Sequence, residues 1–240
     1  MVHKDNIIIL SDKTGGILDK NKNFMAYVPD ADICNQLVDS AQYGTPMLKI
    51  GCSSPKIMIS AGVHGNELPA QIAALTLIKE LYDKNINGTV YIIPFTIPTA
   101  TMENSRRFNG FDMNRSASKE GSITNKILNT MDNLSIVAVA DFHSTKPRSN
   151  PGIESVFCSK SPCAESYFIA KYITNIMSSK IICHPIAGFL YSGAIEDESN
   201  NRGIAAVTCE VLSENCVITK GSLERSYLQM IYYLKYFGII

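Results

Sequence analysis

Apolar residues recur along the chain with two periods that take turns, and the alternation predicts strands and helices in succession. Residues 56–63, KIMISAGV, form an apolar run with a glycine near its end, as a buried strand would. Pro69 then opens AQIAALTLIKELYDK, where Ile72, Leu75 and Ile78, and beside them Ala73, Leu77 and Leu81, recur at helical spacing. Proline suits a first helical turn because the N–H it lacks has no partner there. Asn87-Gly88 interrupts the pattern, and residues 90–93 read as the next strand. A short helix over 125–134 leads to an apolar strand over 135–140. Then come a strand over 154–158, a helix over 164–177, strands over 181–183 and 204–211, and a closing helix over 223–237. Residues 96–115, 144–151 and 186–202 show no regular pattern. Unpatterned connections of that length in a compact domain usually carry function.

Strands alternating with helices predict an α/β fold, a three-layer α/β/α sandwich around a mixed, mostly parallel sheet. No repeat, low-complexity tract or linker divides the chain, so residues 1–240 are expected to form a single domain. With 240 residues and 45% hydrophobic residues, it can bury a core without disulfides. Twenty-two basic residues balance twenty-two acidic ones, which argues against a nucleic-acid binder. No export signal and no membrane-length apolar run is read, and the seven cysteines include no C-x-x-C pair. The expectation is a soluble cytoplasmic protein with reduced cysteines and no membrane partner. The sequence leaves its oligomeric state open.

Chemistry-bearing residues cluster at strand ends and in the unpatterned stretches. In Gly62-Val63-His64-Gly65-Asn66-Glu67, running from strand to helix, His64 and Glu67 can converge on one ion. The plainer alternative is a glutamate complementing a helix dipole beside a loop histidine. His143, at the mouth of an apolar strand, suits a third ligand, and Asp141 could orient it. Of the other two histidines, His3 lies in an N-terminal stretch expected to fray. His184, before Pro185 with no acidic partner nearby, reads as a satisfied structural residue. The segment Arg106-Arg107-Phe108-Asn109-Gly110-Phe111-Asp112-Met113-Asn114-Arg115 offers guanidinium forks for a carboxylate or an oxyanion, or else is a solvated basic loop. Glu210 ends the apolar strand IAAVTCE, where a carboxylate is costly unless paired or used. Glu196-Asp197-Glu198 reads as a solvated acidic loop, with selection of a basic substrate side chain as its alternative.

In this order the pieces resemble the zinc carboxypeptidase superfamily, the M14 metallopeptidases, which includes the aspartoacylase and succinylglutamate desuccinylase deacylases. The family pattern is H-x-x-E, an arginine followed by D-x-N-R, a lone histidine and a glutamate at a strand end. Here these are His64/Glu67, Arg107 with Asp112-x-Asn114-Arg115, His143 and Glu210. Tyr43–Gly51, residues 108–115 and Ser192-Gly193 are similar to the small murein tripeptide amidases. HGNELPA is also very like the deacylase version. Aspartoacylase-type enzymes carry an extra C-terminal domain, and because the residues after Glu210 read mostly as one helix, that domain is expected to be missing here.

The resemblance implies one Zn2+ per chain on His64, Glu67 and His143, with a fourth position for water. It makes Glu210 the general base and Arg107 the oxyanion group. Asn114, Arg115 and Tyr191 become binders of a substrate carboxylate, and Asp112 and Asp141 supports of the ligand histidines. The function expected first is a zinc carboxypeptidase or amidase acting on a short peptide or conjugate with a free carboxylate. An N-acyl amino acid deacylase comes second, and a catalytically inert zinc- or carboxylate-binding module third. Glu210 together with Arg107 speaks against the last, since a binding relic needs no general base.

Overall fold

The two periods resolve into one sheet with helices on both faces. The computed structural model describes residues 7–240, so His3 lies outside the described residues. In chain order these residues form β1 (Ile7–Ile9), α1 (Lys22–Met25), α2 (Asp32–Ser40), β2 (Pro46–Gly51), β3 (Lys56–Ala61), α3 (Leu68–Leu81), β4 (Thr89–Ile93) and α4 (Pro98–Met102). There follow α5 (Ile123–Leu134), β5 (Ala138–Thr145), β6 (Ser155–Ser159), α6 (Glu165–Met177), β7 (Lys180–His184), α7 (Ile195–Asn201), β8 (Ala205–Leu212) and α8 (Ser222–Tyr236). The strands lie in the order β1-β2-β4-β3-β5-β8-β6-β7. The pairs β3/β4, β3/β5, β5/β8 and β6/β7 are parallel, and β1/β2, β2/β4 and β6/β8 antiparallel. This is the mixed α/β sheet expected from the alternation. No helix of the described residues is long and apolar enough to cross a membrane.

Side chains alternate across the sheet, so each central strand feeds two cores. Ile57, Ile59, Ala140, Phe142, Val207 and Cys209 pack on one side with α2, α3, α6 and α8. Met58, Val139 and Ala206 pack on the other, with α5 and Ile195 of α7. The parity that places Val139 sends Asp141 and His143 to this second side, and that of Ala206 sends Thr208 and Glu210 there. Because β5 and β8 pair in the register His143↔Glu210, both side chains emerge next to each other at the carboxyl end of the sheet. α3 is apolar on nearly every face because it is buried along most of its length, against the sheet, α2 and α8.

Where the structure departs from the periodicity, hydrogen bonding outweighs hydrophobic pattern. β5 starts three residues later than the apolar run suggests, because Ser135 (φ 57°) closes α5 in a left-handed turn. It then continues through residues 141–145, all polar except Phe142, held by pairing with β8. Asp141 and His143 therefore sit within the strand and not in the loop beyond it. The unpatterned stretches contain α4, the single 3-10 turn Met113–Arg115 and α7, all too short or too polar to show an apolar stripe. α2 and β2 form where the periodicity assigns no element.

The β3–α3 turn is tightly enclosed. Gly62 has φ 71°, and a Cβ on Gly65 would lie 2.0 Å from the carbonyl carbon of Ala100 in α4. That neighbour is backbone and cannot swing aside. Gly65→Ala is accordingly expected to destabilise the fold by about 1–3 kcal/mol, the usual cost of overpacking. The measurement is a urea unfolding midpoint with unchanged slope; an unaltered midpoint would contradict the close packing of this turn.

Candidate metal centre and substrate pocket

The neighbouring parallel strands β3 and β5 deliver the two histidines, and the start of α3 delivers a carboxylate between them. His64 follows β3, and Glu67 is the residue that caps α3 at its amino end. His64 Nδ1 lies 3.0 Å from Glu67 Oε1, and His143 Nδ1 lies 2.8 Å from Glu67 Oε2. The outer nitrogens are each held by another acid. His64 Nε2 is 2.9 Å from Asp112 Oδ1, and His143 Nε2 is 2.7 Å from Asp141 Oδ2. Asp141 is itself fixed by the Ser60 hydroxyl, which donates to Oδ1 at 2.6 Å. Both imidazoles thus turn Nδ1 inward. One ligand atom from each of His64, Glu67 and His143 lies within 4.8 Å of the others, and all three residues are buried.

Two imidazole nitrogens and one carboxylate oxygen, with each histidine oriented by an acid, form a donor set that suits zinc. Without an ion the cluster is held by its own charges. Burial alone would raise the Glu67 carboxyl, but His64 and His143 pull it well below the usual range. Burial would likewise lower His143, yet Asp141 and Glu67 hold it well above its ordinary value. The backbone N–H of Ser144 donates to Glu67 Oε2 at 3.1 Å and Arg106 Nη1 to Oε1 at 2.8 Å.

A pocket opens beside this cluster, and His64, Arg106, Asn114, Arg115, Tyr191, Glu196 and Glu210 are among its lining residues. Glu210 is half-buried, and its Oε2 is buried without a hydrogen-bond partner. Burial, with the charge of Glu67 added, pushes its carboxyl up to about 7. The Arg115 guanidinium carbon stands 4.9 Å from the centre of the Tyr191 ring. Gly193 presses on the Arg115 backbone, and its carbonyl accepts from Ala117 N–H, so the two loops form one wall. Asn114 Oδ1 accepts from Ile195 N–H at 3.1 Å, tying that wall to α7.

His64, Glu67, His143, Asp112, Asp141, Asn114, Arg115, Tyr191 and Glu210 are thus brought together. Arg107 is not. The Ser105 hydroxyl accepts from Arg107 N–H, Phe108 and Phe111 pair as a tiny hairpin, and the Arg107 guanidinium is turned to the carbonyl of Gly110 at 3.0 Å. Its neighbour Arg106 takes the place at the pocket, contacting Glu67 and, at 3.6 Å, Asp112. The acidic segment 196–198 is not a solvated loop either: it lies in α7, with Glu196 and Asp197 buried. Nothing in IEDESNN except Ile195 is strongly apolar, so only the Gly203 that follows hinted at a helix. His184 also departs from expectation, since its Nε2 is buried with no partner and its ring packs against Phe189 and Tyr191.

Comparison with known proteins places this geometry. A family model of the succinylglutamate desuccinylase/aspartoacylase catalytic domain matches residues 53–168, which include both histidines and Glu67. No curated protein sequence matches the chain significantly. Among solved structures, a succinylglutamate desuccinylase/aspartoacylase from Rhodobacter sphaeroides is 17% identical with a TM-score of 0.64, covering 84% of this chain and 62% of its own. An aspartoacylase family protein from Mesorhizobium loti is 21% identical with a TM-score of 0.59, covering 82% and 62%. The tripeptide-bound cell shape determinant protein Csd4 from Helicobacter pylori is 14% identical with a TM-score of 0.65, covering 82% and 56%. The fold and the matched catalytic domain agree with the superfamily that the motifs resemble. The chain spans less than two thirds of the length of each of these three structures.

The geometry predicts that the three inner donors act as a unit. His143→Ala and Glu67→Ala should each abolish stoichiometric zinc by elemental analysis. Asp141→Asn, which leaves the inner donors in place and removes the charge behind His143, should weaken zinc affinity by about 10- to 100-fold. Full zinc in both inner variants would sink the assignment.

Proposed function

We propose that this chain is a zinc-dependent amide hydrolase acting on a small substrate with a free carboxylate. The observation that carries the reading is the convergence of both inward-turned Nδ1 atoms on Glu67, beside a Glu210 carboxylate whose buried Oε2 has no hydrogen-bond partner among the described residues. His64, Glu67 and His143 would hold one Zn2+ per chain, which would act there as a Lewis acid and bring the pKa of water close to 7. Glu210, at the pocket beside the cluster, takes a proton from the attacking water and returns it to the departing amine. Arg106, with its guanidinium half-exposed at the pocket, stabilises the oxyanion that forms at the amide carbonyl, the role the motif gave to Arg107. The exposed Arg115, stacked on Tyr191, and Asn114 hold the carboxylate of the substrate.

The same machinery cleaves a short peptide or an N-acyl amino acid. The match to the desuccinylase/aspartoacylase catalytic domain favours the second. Kinetics on the zinc-loaded protein with short peptides beside N-acetyl and N-succinyl amino acids separate them, and hydrolysis of neither class would overturn the proposal.

Two sets of variants test the roles. Glu210→Gln should keep its zinc and lose at least about 10²-fold in kcat; loss of the metal instead would make Glu210 a ligand. Arg106→Met should lower kcat by about 10²- to 10³-fold, the scale of a removed oxyanion donor. Arg107→Met should leave kcat within a few fold, and the reverse order would restore the oxyanion role to Arg107.

A further inference from the structure

Ser60 is the one polar residue in the buried part of β3, where Ile57, Met58, Ile59 and Ala61 are all apolar. The alternation that sends Met58 to the second side of the sheet sends Ser60 there too. β4 sets Ile93 opposite it and β5 sets Asp141 opposite it, so only the β5 neighbour is polar. The Ser60 hydroxyl donates to Asp141 Oδ1 at 2.6 Å, its single side-chain hydrogen bond among the described residues. Asp141 is itself fully buried, and its other oxygen, Oδ2, meets His143 Nε2 at 2.7 Å. A chain of buried side chains thus runs from β3 through Asp141 to the inward Nδ1 of His143, 2.8 Å from Glu67 Oε2.

His143 Nε2 has a second neighbour, of the opposite kind. Asn114 Oδ1 is committed to the Ile195 N–H at 3.1 Å, so the amide nitrogen is the end that faces the ring, with Nδ2 3.4 Å from Nε2. The outer nitrogen therefore lies between an acceptor, Asp141, and a donor, Asn114. A neutral imidazole satisfies only one of them. With its proton on Nε2 it donates to Asp141 and leaves the Nδ1 lone pair for a metal. With its proton on Nδ1 it accepts from Asn114, and that proton blocks the metal.

We propose that Ser60 is a positioning residue that decides between these two forms. By donating to Oδ1 it holds the Asp141 carboxyl with Oδ2 turned to Nε2 as an acceptor, and so keeps Nδ1 of His143 open to an ion. This deepens the hydrolase reading and rests on its metal centre, not on which amide is cleaved. Without the hydroxyl, Oδ1 is buried with no donor and the carboxyl is free to turn about its own bond. Asn114 then gains the place on Nε2. A buried oxygen left unpaired is costly, so Ser60→Ala lowers stability whatever Ser60 does for the metal. Stability alone therefore does not reveal the role, whereas zinc affinity and the position of the His143 proton do.

Zinc affinity is measured by competition with a chromogenic chelator, beside the unfolding temperature of the same proteins. Ser60→Ala should bind zinc about 10-fold more weakly than wild type, the lower end of the range for groups that orient a ligand. Ser60→Thr, which keeps the hydroxyl, should stay within about threefold of wild type. Ser166→Ala is the matched control: Ser166 is fully buried on α6, and its oxygen accepts from Ala206 N–H and Asn200 Nδ2 at 2.8 Å each. It should lower the unfolding temperature yet keep zinc affinity within about twofold, as expected of a distant site. Wild-type affinity in Ser60→Ala, a loss in Ser60→Thr as large as in Ser60→Ala, or an equal loss in Ser166→Ala overturns the inference. Proton–nitrogen correlation NMR on the zinc-loaded wild type, nitrogen-labelled at histidine, should place the His143 ring proton on Nε2. A proton on Nδ1 overturns the inference even if no Ser60 variant folds. A wild type that binds no zinc overturns the donor set and the inference with it. The expected order of affinities without cleavage of any amide would leave the inference standing and overturn the hydrolase reading.

Discussion

A single buried carboxylate, Glu67, organises this molecule's working end. An ionised carboxylate sheltered from water must be compensated, and Glu67 is met on one oxygen by His64 and Arg106 and on the other by His143 and the Ser144 N–H. Those partners come from separate parts of the chain, so the cluster exists only when β3, β5 and the start of α3 are correctly packed. Asp112 and Asp141 extend the network outward and fix the rotation of each ring. The result is a set of three donors whose orientation the protein itself fixes.

The sheet topology makes this arrangement cheap to build. Parallel β3, β5 and β8 end at the same edge, and a period of two along each strand puts His143 and Glu210 on one face in direct register. The substrate side is made differently, from the turn at 113–115 and the 191–194 loop leaning on each other and on α7. The sheet thus carries the donor cluster and Glu210, and loops that pack on it form the facing wall of the pocket.

The match to the desuccinylase/aspartoacylase catalytic domain ends at residue 168, whereas Tyr191, Glu196 and Glu210 lie beyond it. The relatives therefore bear on the donor set, and what enters the pocket is argued from this chain's own side chains. There the acids Glu196 and Glu210 stand out, both raised mainly by burial. Carboxylates kept under such conditions trade stability for function.

The sequence by itself determined the elements whose signal is local. α3, β3, β4, α6, β8 and α8 follow from apolar periodicity, and the order of His64/Glu67, Asp112/Asn114/Arg115, His143 and Glu210 named most of the cluster. Tertiary structure decided what depends on partners far along the chain. The polar half of β5 is a strand only because β8 pairs with it, and α7 is a helix with buried acids despite having almost no apolar stripe. Two adjacent arginines are equivalent in a sequence, and the turn around Ser105 and the small hairpin after it choose Arg106 for the pocket. Hydrophobic period records which residues leave water; which polar group faces which is settled by hydrogen-bond geometry between segments the sequence keeps apart.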